Sequence, residues 1–404
     1  MKVVVIGCGY VGYPMALLMA KAGHDVVGVD IDPEVIRVIN SGDTHLPEPG
    51  LRELANDPDV RKRMKGSTQV EPGDAFMVCV PTPLQDTRKN AEMGMVEAAT
   101  RAITPHLKKG NLVVLESTVP PRTCRDLMTP ILEKSGLKLS KDFLLAHCPE
   151  RVLPGQALQE ILFNARIIGG VDDAATEAAS KLYASFVKGE LVKTDDITAE
   201  LCKLMENTFR DVNIALANEF ARVCRTIGVD VNKAIAIANR HPRVNILSPG
   251  IGVGGHCIPI DPWFIAEVDP EDCRLIPTAR QINDAQPEHI AKLIRREVRD
   301  VADPKILCLG ATYKSDTYDL REAPAAEVVH ELRDDGYTVE WVDPITREYG
   351  DKDLVEAARG AHLVVVLVPH QTMLADLKTR RGALKAVLVR DRIIDVSRGM
   401  VEPL

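Results

Sequence analysis

Short apolar runs alternate with longer amphipathic stretches in the first part of the chain. KVVVIG opens the sequence after the initial methionine, the helix-like VGYPMALLMAKAGH follows, and DVVGVD is the next apolar run. Later runs of the same kind are AFMVCVP, NLVVLES, FLLAHCP and ARIIGG. This alternation is typical of parallel strands connected by crossover helices. We therefore predict a doubly wound, Rossmann-like α/β domain over residues 1–195.

The pattern changes to a helical period after residue 195. Between residues 198 and 227 the apolar positions recur at helical spacing, which predicts one long amphipathic helix. The recurring positions are Leu201, Leu204, Met205, Thr208, Val212, Ala215 and Leu216. Further helices are predicted over 232–239 and 277–298. We expect a helical central domain over residues 196–299.

The last hundred residues return to the alternation of the first part. Their apolar runs are KILCLGA, TVEWVD, HLVVVLVP and RIIDVS. This predicts a second, smaller Rossmann-like domain over residues 300–404. The expected fold class is therefore α/β, with two doubly wound domains joined by a long central helix and a helical domain.

Composition narrows the classes of protein that this chain can represent. A length of 404 residues suggests two or three domains. The net charge of -8 argues against general nucleic-acid binding, so an anionic ligand would need local arginines and lysines to hold it. No apolar run approaches the roughly 18 to 20 residues that cross a bilayer, and we read no signal peptide at the start. We expect no membrane or nucleic-acid partner.

Nine cysteines are scattered along the chain without paired CxxC spacing. An odd number in this arrangement argues against a disulfide framework and against a standard zinc site, so we expect no metal. A reducing cytoplasm is the simplest location. Cys8, Cys79 and Cys308 lie inside apolar runs and are interpreted as small core hydrophobes.

Gly7, Gly9 and Gly12 form a GxGxxG pattern directly after the first predicted strand. Such glycines allow a tight turn, and the helix that follows offers its N–H groups to a pyrophosphate. Asp30 ends the second strand, where a carboxylate binds a ribose and repels a 2′-phosphate, so NAD is favoured over NADP. The alternative is a glycine-rich turn in a Rossmann domain that binds no cofactor.

Thr82 and Thr118 follow two later strands, in the segments VPTP and ESTVPP. Open parallel sheets bind ligands at the carboxyl ends of their strands, so both threonines are candidates for cofactor contact. Either could instead be the N-cap of a helix.

Lys203, Asn207 and Arg210 share one face of the long predicted helix. A solvated polar face is the simplest interpretation, although asparagine is a poor helix former in such a position. The spacing alone leaves a functional role open.

The segment GVGGHCIPIDPW surrounds Cys257 with small residues. Its glycines give access to the backbone, and Pro259 suits the first turn of a helix, which would put the thiol near a helix N-terminus. That position favours the thiolate and hence a nucleophile. Asp261 lies one turn further on. A structural cysteine in a glycine-rich turn is the alternative, and His256 is interpreted as structural.

Seven segments together resemble the UDP-glucose/GDP-mannose dehydrogenase family. They are GCGYVG, VPTP, ESTVPP, CPERVLPG, LCKLMENTFRDVNIALANE, GVGGHCIPIDPW and ATYKSDTYDLREAPA. CPERVLPG and ANRHPRVNI are similar to the branch that oxidises UDP-N-acetyl-D-mannosamine. Arg151 and Val152 stand where the UDP-glucose branch more usually has Phe-Leu. UDP-glucose and UDP-N-acetylglucosamine remain alternative substrates.

The resemblance implies a four-electron oxidation of the hexose C6 alcohol to a carboxylate, with two NAD⁺ reduced in succession. Cys257 would be the nucleophile that captures the intermediate aldehyde as a thiohemiacetal, and a thioester would then be hydrolysed. Lys203 and Asn207 would stabilise the oxyanion. Asp261 would orient a water with Thr118 or Lys203, and Glu150 would be the base for hydrolysis.

Binding residues also follow from the resemblance. The expected cofactor contacts are Gly7, Gly9, Tyr10, Val11, Gly12, Asp30, Thr82, Thr118 and Arg321. The expected substrate contacts are Arg151, Val152, Lys203, Asn207, Arg210, His241, Arg243, Gly254, Tyr313 and Lys314. The family's long central helix forms a dimer core, which implies a homodimer or higher oligomer, and its acidic sugars usually enter surface polysaccharides.

Two other classes of function stay open. A two-electron hydroxyacid dehydrogenase, such as the 6-phosphogluconate class, would also pair a lysine and an asparagine on a helix, but it would not need Cys257. A non-catalytic module that binds nucleotide sugars would leave Cys257, Lys203 and Glu150 without a reason. The number of NADH molecules formed per sugar separates all three.

Overall fold

The computed structural model describes residues 1–85, 89–152, 155–346, 348–350, 352–397 and, for the backbone, 400–402. It divides into two compact units. The first comprises Met1–Glu206 and Trp263–Asp269, and the second comprises Asn207–Pro262 and Pro270–Leu404.

An eight-stranded sheet forms the centre of the first unit. Its strands are β1 (Lys2–Ile6), β2 (Asp25–Val29), β3 (Met64–Ser67), β4 (Ala75–Val78), β5 (Leu112–Leu115), β6 (Leu144–His147), β7 (Arg166–Gly170) and β8 (Leu191–Asp195). They are ordered β3-β2-β1-β4-β5-β6-β7-β8. Because β2 lies on one side of β1 and β4 on the other, the chain reverses its direction of winding at β1, and the carboxyl ends of β1, β4 and β5 lie at the same edge of the sheet.

Helices cover both faces of this sheet. They are α1 (Gly12–Lys21), α2 (Pro33–Ser41), α3 (Leu51–Asn56), α4 (Pro58–Arg61), α5 (Gly94–Ile103), α6 (Thr129–Leu132), α7 (Ala157–Phe163) and α8 (Asp173–Tyr183), and a π-helical turn, Cys124–Met128, precedes α6. Alternate residues of β1 belong to two hydrophobic clusters, Val3 and Val5 to one and Val4 to the other. This alternation is what a strand buried on both faces requires.

The strands are not all parallel. β6 and β7 pair antiparallel, with His147 opposite Gly169. The sequence predicted parallel strands, and this pair of strands departs from that prediction. β7 starts at the same edge of the sheet where β6 ends, so the connection needs no crossover to the other edge.

The predicted long helix is α9 (Asp196–Ile227), which begins in the first unit and continues into the second. Its buried positions include Leu204, Thr208 and Ala215, whereas Met205 and Leu216 are exposed. The positions that recur at helical spacing in the sequence therefore lie on two faces of α9, one buried and one exposed.

The second unit contains the rest of the helical segment and a smaller sheet. The helices between α9 and that sheet are α10 (Val231–Ala238), α11 (Asp261–Ala266), which continues into the first unit, α12 (Leu275–Asp284) and α13 (Gln286–Val298). The sheet has the strands β9 (Lys305–Leu309), β10 (Thr338–Val342), β11 (Leu363–Val366), β12 (Ile393–Asp395) and β13 (Met400–Glu402), in the order β10-β9-β11-β12-β13. Its helices are α14 (Pro324–Asp334), α15 (Leu354–Ala358), α16 (Gln371–Thr379) and α17 (Arg381–Val387).

The second sheet repeats the architecture of the first on a smaller scale. Ile306 and Cys308 of β9 belong to a cluster on one face, and Leu307 and Leu309 belong to a cluster on the other. β9, β10, β11 and β12 pair in parallel, and β13 adds an antiparallel edge. The predicted fold class is confirmed: the chain has two doubly wound α/β sheets, and a long helix and further helices connect them in sequence.

Candidate active site

The glycine motif fits a dinucleotide. Gly7 has a φ of +92°, and a Cβ on Gly12 would lie 1.9 Å from the Gly7 carbonyl oxygen, so the turn itself requires both glycines. A Cβ on Gly9 would meet no atom within 4 Å. Gly9 therefore leaves the start of α1 open, where a pyrophosphate could approach its N–H groups. Tyr10 and Val11 complete the same turn.

Asp30 stands directly after β2 beside this turn. One carboxylate oxygen, Oδ2, accepts the Cys8 N–H at 2.9 Å, and Oδ1 accepts the Asp32 N–H at 3.0 Å. The two N–H donors hold the carboxylate next to the glycine motif. Its position matches that of a carboxylate that binds a ribose.

Thr82 and Thr118 lie together at the carboxyl ends of β4 and β5. The Thr82 hydroxyl donates to the Thr118 carbonyl oxygen at 2.6 Å. The helical elements that follow them have Met93 and Thr123 as N-cap residues. The alternative that either threonine is a helix N-cap is therefore wrong.

Glu150 belongs to a buried ionic cluster that the sequence did not reveal. Arg166 donates from Nη2 to Glu150 at 2.7 Å and to Glu116 at 2.8 Å, and its own side chain is only 5% exposed. The Arg151 N–H donates to the other Glu150 oxygen at 2.6 Å. Burial raises the pKa of Glu116 to about 8. Arg166 opposes this shift, and the nearby Glu150 adds to it.

Arg151 and Val152 follow Glu150 along the chain. The Arg151 guanidinium forms an ion pair with Glu206 at 2.6 Å and also donates to the Ala165 carbonyl oxygen. A pocket beside it is lined by Arg151, Asn164, Ala165 and Glu206. Val152 packs against the main apolar cluster of the first unit.

On α9, Lys203 and Asn207 are both buried, with 9% exposure each, whereas Arg210 is exposed. The Asn207 amide donates to Asp261 at 2.6 Å, and Asp261 is 3% exposed. A solvated polar face is thus the wrong interpretation for Lys203 and Asn207. Asn207 and Asp261 instead form a buried hydrogen-bonded pair.

Cys257 lies on an exposed turn immediately before α11. Its carbonyl oxygen accepts the N–H groups of Ile260 and Asp261 at 3.0 and 2.9 Å. The helix starts at Asp261 rather than at Pro259, so the thiol stands one turn before the helix. All nine cysteines lie in the described part of the chain, and none forms a disulfide.

The glycines before Cys257 are explained by a close approach of two backbone segments. A Cβ on Gly254 would lie 2.2 Å from the Glu322 carbonyl oxygen, and one on Gly255 would lie 3.1 Å from the Tyr313 ring. Gly255 also has a φ of +85°, and its N–H donates to the Glu322 carbonyl oxygen at 3.3 Å. These contacts fix the turn of Cys257 against the segment from Tyr313 to Glu322.

Charged groups surround Tyr313 on that segment. Burial raises the pKa of Tyr313, and the neighbouring Asp319 and Cys257 add to the shift while Arg321 opposes it. Arg321 donates through Nε and Nη2 to both carboxylate oxygens of Asp319, at 2.9 and 2.6 Å. Lys314, the next residue after Tyr313, is exposed.

His241 and Arg243 occupy an exposed turn after α10. The Arg243 N–H donates to His241 Nδ1 at 3.3 Å. Both side chains are therefore accessible to solvent.

Two buried asparagines, Asn218 on α9 and Asn283 on α12, belong to a polar network that anchors the loop leading to Cys257, and the sequence reasoning missed them. Asn218 is fully buried, accepts the Gly250 N–H at 2.9 Å and donates to Asn283 at 3.2 Å. Asn283 donates in turn to Asp211, which is paired with the buried Arg280. The sequence did contain a signal for this network, because polar residues stand among the apolar positions of two predicted helices and buried polar groups need hydrogen-bond partners.

Comparison with known proteins decides the family. Three domains of the UDP-glucose/GDP-mannose dehydrogenase family match in order: the NAD binding domain at residues 1–187, the central domain at 197–285 and the UDP binding domain at 307–396. The chain belongs to the UDP-glucose/GDP-mannose dehydrogenase family. It is an NAD-dependent nucleotide-sugar dehydrogenase, and the expected cofactor and reaction class are confirmed.

Individual members of the family are similar over almost the whole chain. A UDP-N-acetyl-D-mannosamine dehydrogenase of Methanococcus maripaludis is 46% identical over 91% of this chain and 86% of its own. An NDP-N-acetyl-D-galactosaminuronic acid dehydrogenase of Ralstonia nicotianae is 43% identical over 98% and 95%. The solved structure of a UDP-D-ManNAc dehydrogenase from Pyrococcus horikoshii has a TM-score of 0.92 and 39% identity, covering 100% of this chain and 97% of that one.

Within the described residues, no helix combines the length and the apolar character that crossing a membrane requires.

Proposed function

We propose that this dehydrogenase oxidises UDP-N-acetyl-D-mannosamine to UDP-N-acetyl-D-mannosaminuronate. The 46% identity to the Methanococcus maripaludis enzyme, together with Arg151 and Val152 after the Pro-Glu pair, carries this choice of sugar. A second candidate is a UDP-N-acetylgalactosamine-type sugar, because the Ralstonia relative is nearly as similar. Both candidates are 2-acetamido sugars, and this sets them apart from UDP-glucose.

Cys257 is the proposed nucleophile of the second oxidation. The first oxidation removes a hydride from C6 and leaves an aldehyde, which has no further hydride to give until a nucleophile adds to it. The Cys257 sulfur adds to the carbonyl carbon, and the resulting thiohemiacetal loses the second hydride to become a thioester. NAD⁺, when bound, accepts the hydride in each oxidation. Exposure of the thiol on a turn supports this role, since a buried sulfur could not reach a sugar.

Fixed donors and carboxylates take the remaining chemical roles in this proposal. The buried Lys203 and Asn207 stabilise the oxyanion of the tetrahedral centre, as preorganised donors do in a dry site. Asp261 orients a water with Thr118 or Lys203, and the Asn207–Asp261 hydrogen bond of 2.6 Å fixes that carboxylate. Glu150 is the base that activates water against the thioester, which releases the acid and the thiol.

The binding roles are proposed in the same way. Gly7, Gly9, Tyr10, Val11, Gly12, Asp30, Thr82 and Thr118 hold the NAD, and Arg321 adds a contact to it. Arg151, Val152, Lys203, Asn207, Arg210, His241, Arg243, Gly254, Tyr313 and Lys314 hold the UDP-sugar. Guanidinium groups suit a diphosphate because they bind its oxygens in bidentate fashion, which a chain of net charge -8 needs locally.

A panel of UDP-sugars tests the substrate and the electron count together. We expect UDP-N-acetyl-D-mannosamine to have the highest kcat/KM and to yield two NADH per sugar consumed, measured by absorbance and by chromatography of the product. UDP-glucose and UDP-N-acetylglucosamine serve as controls, and 6-phosphogluconate tests the two-electron class. A yield of one NADH, or a higher kcat/KM for UDP-glucose, contradicts the proposal.

The three domains predicted from the sequence are retained as a proposal, with residues 1–195 for NAD, 196–299 for the helical domain and 300–404 for the UDP-sugar. The matched family domains, which begin at residues 1, 197 and 307, support these boundaries. We also propose a cytoplasmic location, because an exposed nucleophilic thiol needs a reducing compartment. The acidic sugar would then enter surface polysaccharides.

A homodimer formed through α9 completes the proposal. The helix exposes apolar residues at helical spacing along one face, over about six turns. The members of this stripe are Met205, Phe209, Leu216, Phe220, Val223 and Ile227, with exposures of 38% to 66%. A second copy of the same helix fits such a stripe, because a twofold interface pairs one surface patch with itself.

Sedimentation velocity tests the dimer. We expect the wild-type chain of 44.3 kDa to sediment as a dimer, and the double substitution Phe209→Glu and Phe220→Glu to shift it to the monomer. Leu275→Glu, at an exposed apolar position outside α9, is the control and should leave the dimer intact. A dimer that persists in the double variant contradicts the use of this stripe.

A further inference from the structure

Three potential metal ligands meet in the interior of the first unit, at residues that the proposed reaction does not use. They are the Cys124 thiol, the His147 imidazole and the Glu200 carboxylate, and one ligand atom from each lies within 4.8 Å of the others. All three side chains are buried, with exposures of 0%, 0% and 1%. Cys124 belongs to the π-helical turn before α6, His147 ends β6, and Glu200 is the fifth residue of α9. We name them the Cys-His-Glu cluster.

His147 is the anomalous member of this cluster. Neither of its ring nitrogens has a hydrogen-bond partner in the part of the chain that the structure describes. A neutral imidazole carries a lone pair on one ring nitrogen, and that nitrogen is the atom that binds metals. An unsatisfied buried polar atom costs about 1–3 kcal/mol, so a neutral ring with two such atoms calls for a missing partner.

Two backbone N–H groups hold the Glu200 carboxylate in place within the cluster. Its Oε2 accepts the Arg122 N–H at 2.5 Å and its Oε1 accepts the Cys124 N–H at 2.9 Å. Each carboxylate oxygen keeps another lone pair. The two N–H groups therefore fix the carboxylate beside the Cys124 thiol, in the way that outer hydrogen bonds orient metal ligands.

We propose that the Cys-His-Glu cluster binds one zinc-type divalent cation. Thiolate sulfur, imidazole nitrogen and carboxylate oxygen are the three ligand classes that Zn²⁺ uses in proteins. The thiol loses its proton to solvent on binding, and the charges of the thiolate, the carboxylate and the cation then sum to zero, which suits a buried site. The three ligands are far apart in sequence, so cysteine spacing does not reveal the site.

A cation at this position would join three segments that carry proposed site residues. Cys124 is six residues after Thr118, His147 is three before Glu150, and Glu200 is three before Lys203. The cation would therefore brace the framework of these residues without contact to the substrate. The inference stands independently of the sugar and of the proposed chemistry, because it rests on the cluster alone.

Zinc binding to the purified full chain tests the inference. The exposed Cys257 is replaced by serine in every sample, since its thiol would otherwise compete for the metal. After removal of metals with a chelator, titration against a chromophoric zinc indicator should show one tight site per chain and a rise in the melting temperature. Co²⁺ in place of Zn²⁺ should give a thiolate-to-metal charge-transfer band.

Two ligand substitutions and one control locate the site. Cys124→Ala and Glu200→Gln should each weaken zinc binding at least about 100-fold and remove the thermal shift, and Cys124→Ala should also remove the charge-transfer band. Cys308→Ala, which deletes a buried thiol in the second unit, should change neither. The inference is overturned if no tight site is found, if both ligand variants bind zinc like the parent, or if the control loses binding equally. Should Cys124→Ala not fold, the Glu200→Gln variant alone decides.

Discussion

Replacement of Cys257 by serine should reduce the rate of uronate formation by about 10³-fold or more, because the aldehyde then lacks a strong nucleophile and cannot reach the oxidation level of a thioester. The first oxidation needs no covalent bond to the protein, so the variant should still bind the UDP-sugar and NAD. We expect a KM close to that of the wild type with a collapsed kcat. Steady-state NADH production and mass spectrometry of the product measure both effects.

Cys273→Ser is the matched control for this experiment. It removes a half-buried thiol from a loop of the second unit, and its activity should stay within about twofold of the wild type. Two NADH per sugar at an undiminished rate in Cys257→Ser would show that the thiol is dispensable. The four-electron mechanism would then need another nucleophile, and the proposed role of Cys257 would be wrong.

Periodicity predicted the elements whose side chains are uniformly buried or strictly amphipathic. β1 and β4 each contain four consecutive apolar residues, and α9 was predicted to within two residues at its start and correctly at its end. Local chemistry was equally informative at the glycine motif, since Gly7 and Gly12 are required by the geometry of one turn.

Three strands were missed because their sequences lack a burial pattern. β3 reads MKGS, and only its glycine is buried. β8 reads LVKTD, and it has no buried residue although it completes the sheet beside β7. β13 is a three-residue antiparallel edge. Edge strands receive their stability from hydrogen bonds to a neighbour, which a hydrophobic pattern does not record.

The features of the site that the sequence could not reveal depend on contacts between residues that are far apart along the chain. The glycines before Cys257 were interpreted as clearing space around the thiol, but Gly254 and Gly255 are contacted by Glu322 and Tyr313, some sixty residues further on. Arg166 was overlooked for a similar reason. A parallel β7 would place this residue at the far edge of the sheet, and only the antiparallel pairing with β6 brings it beside Glu150.

Arg166→Met should destabilise the protein by about 3–5 kcal/mol, because it leaves the buried Glu150 carboxylate without its counter-charge. Arg166 also lies 5.2 Å from the centre of the Tyr183 ring, and a methionine keeps much of that apolar contact. The loss of stability should therefore come mainly from the missing positive charge and less from the change in side-chain volume. Urea unfolding at pH 7, followed by circular dichroism, measures the change in the free energy of unfolding.

Glu116→Gln is the matched control, since Glu116 shares the same guanidinium but has a pKa raised to about 8. A carboxyl group that is already protonated in the folded state at pH 7 loses little when an amide replaces it, so this variant should be far less destabilised than Arg166→Met.

The raised pKa of Glu116 also makes the stability of the protein depend on pH. The unfolded chain ionises Glu116 near its ordinary value of 4.5, so the contribution of this group to stability is full below that pH and is lost as the pH rises towards 8. Glu116→Gln should flatten the pH dependence of stability in that window. Equal destabilisation by the two substitutions at pH 7 would mean that Glu116 is ionised in the folded protein, and Arg166 would then neutralise two carboxylates instead of one.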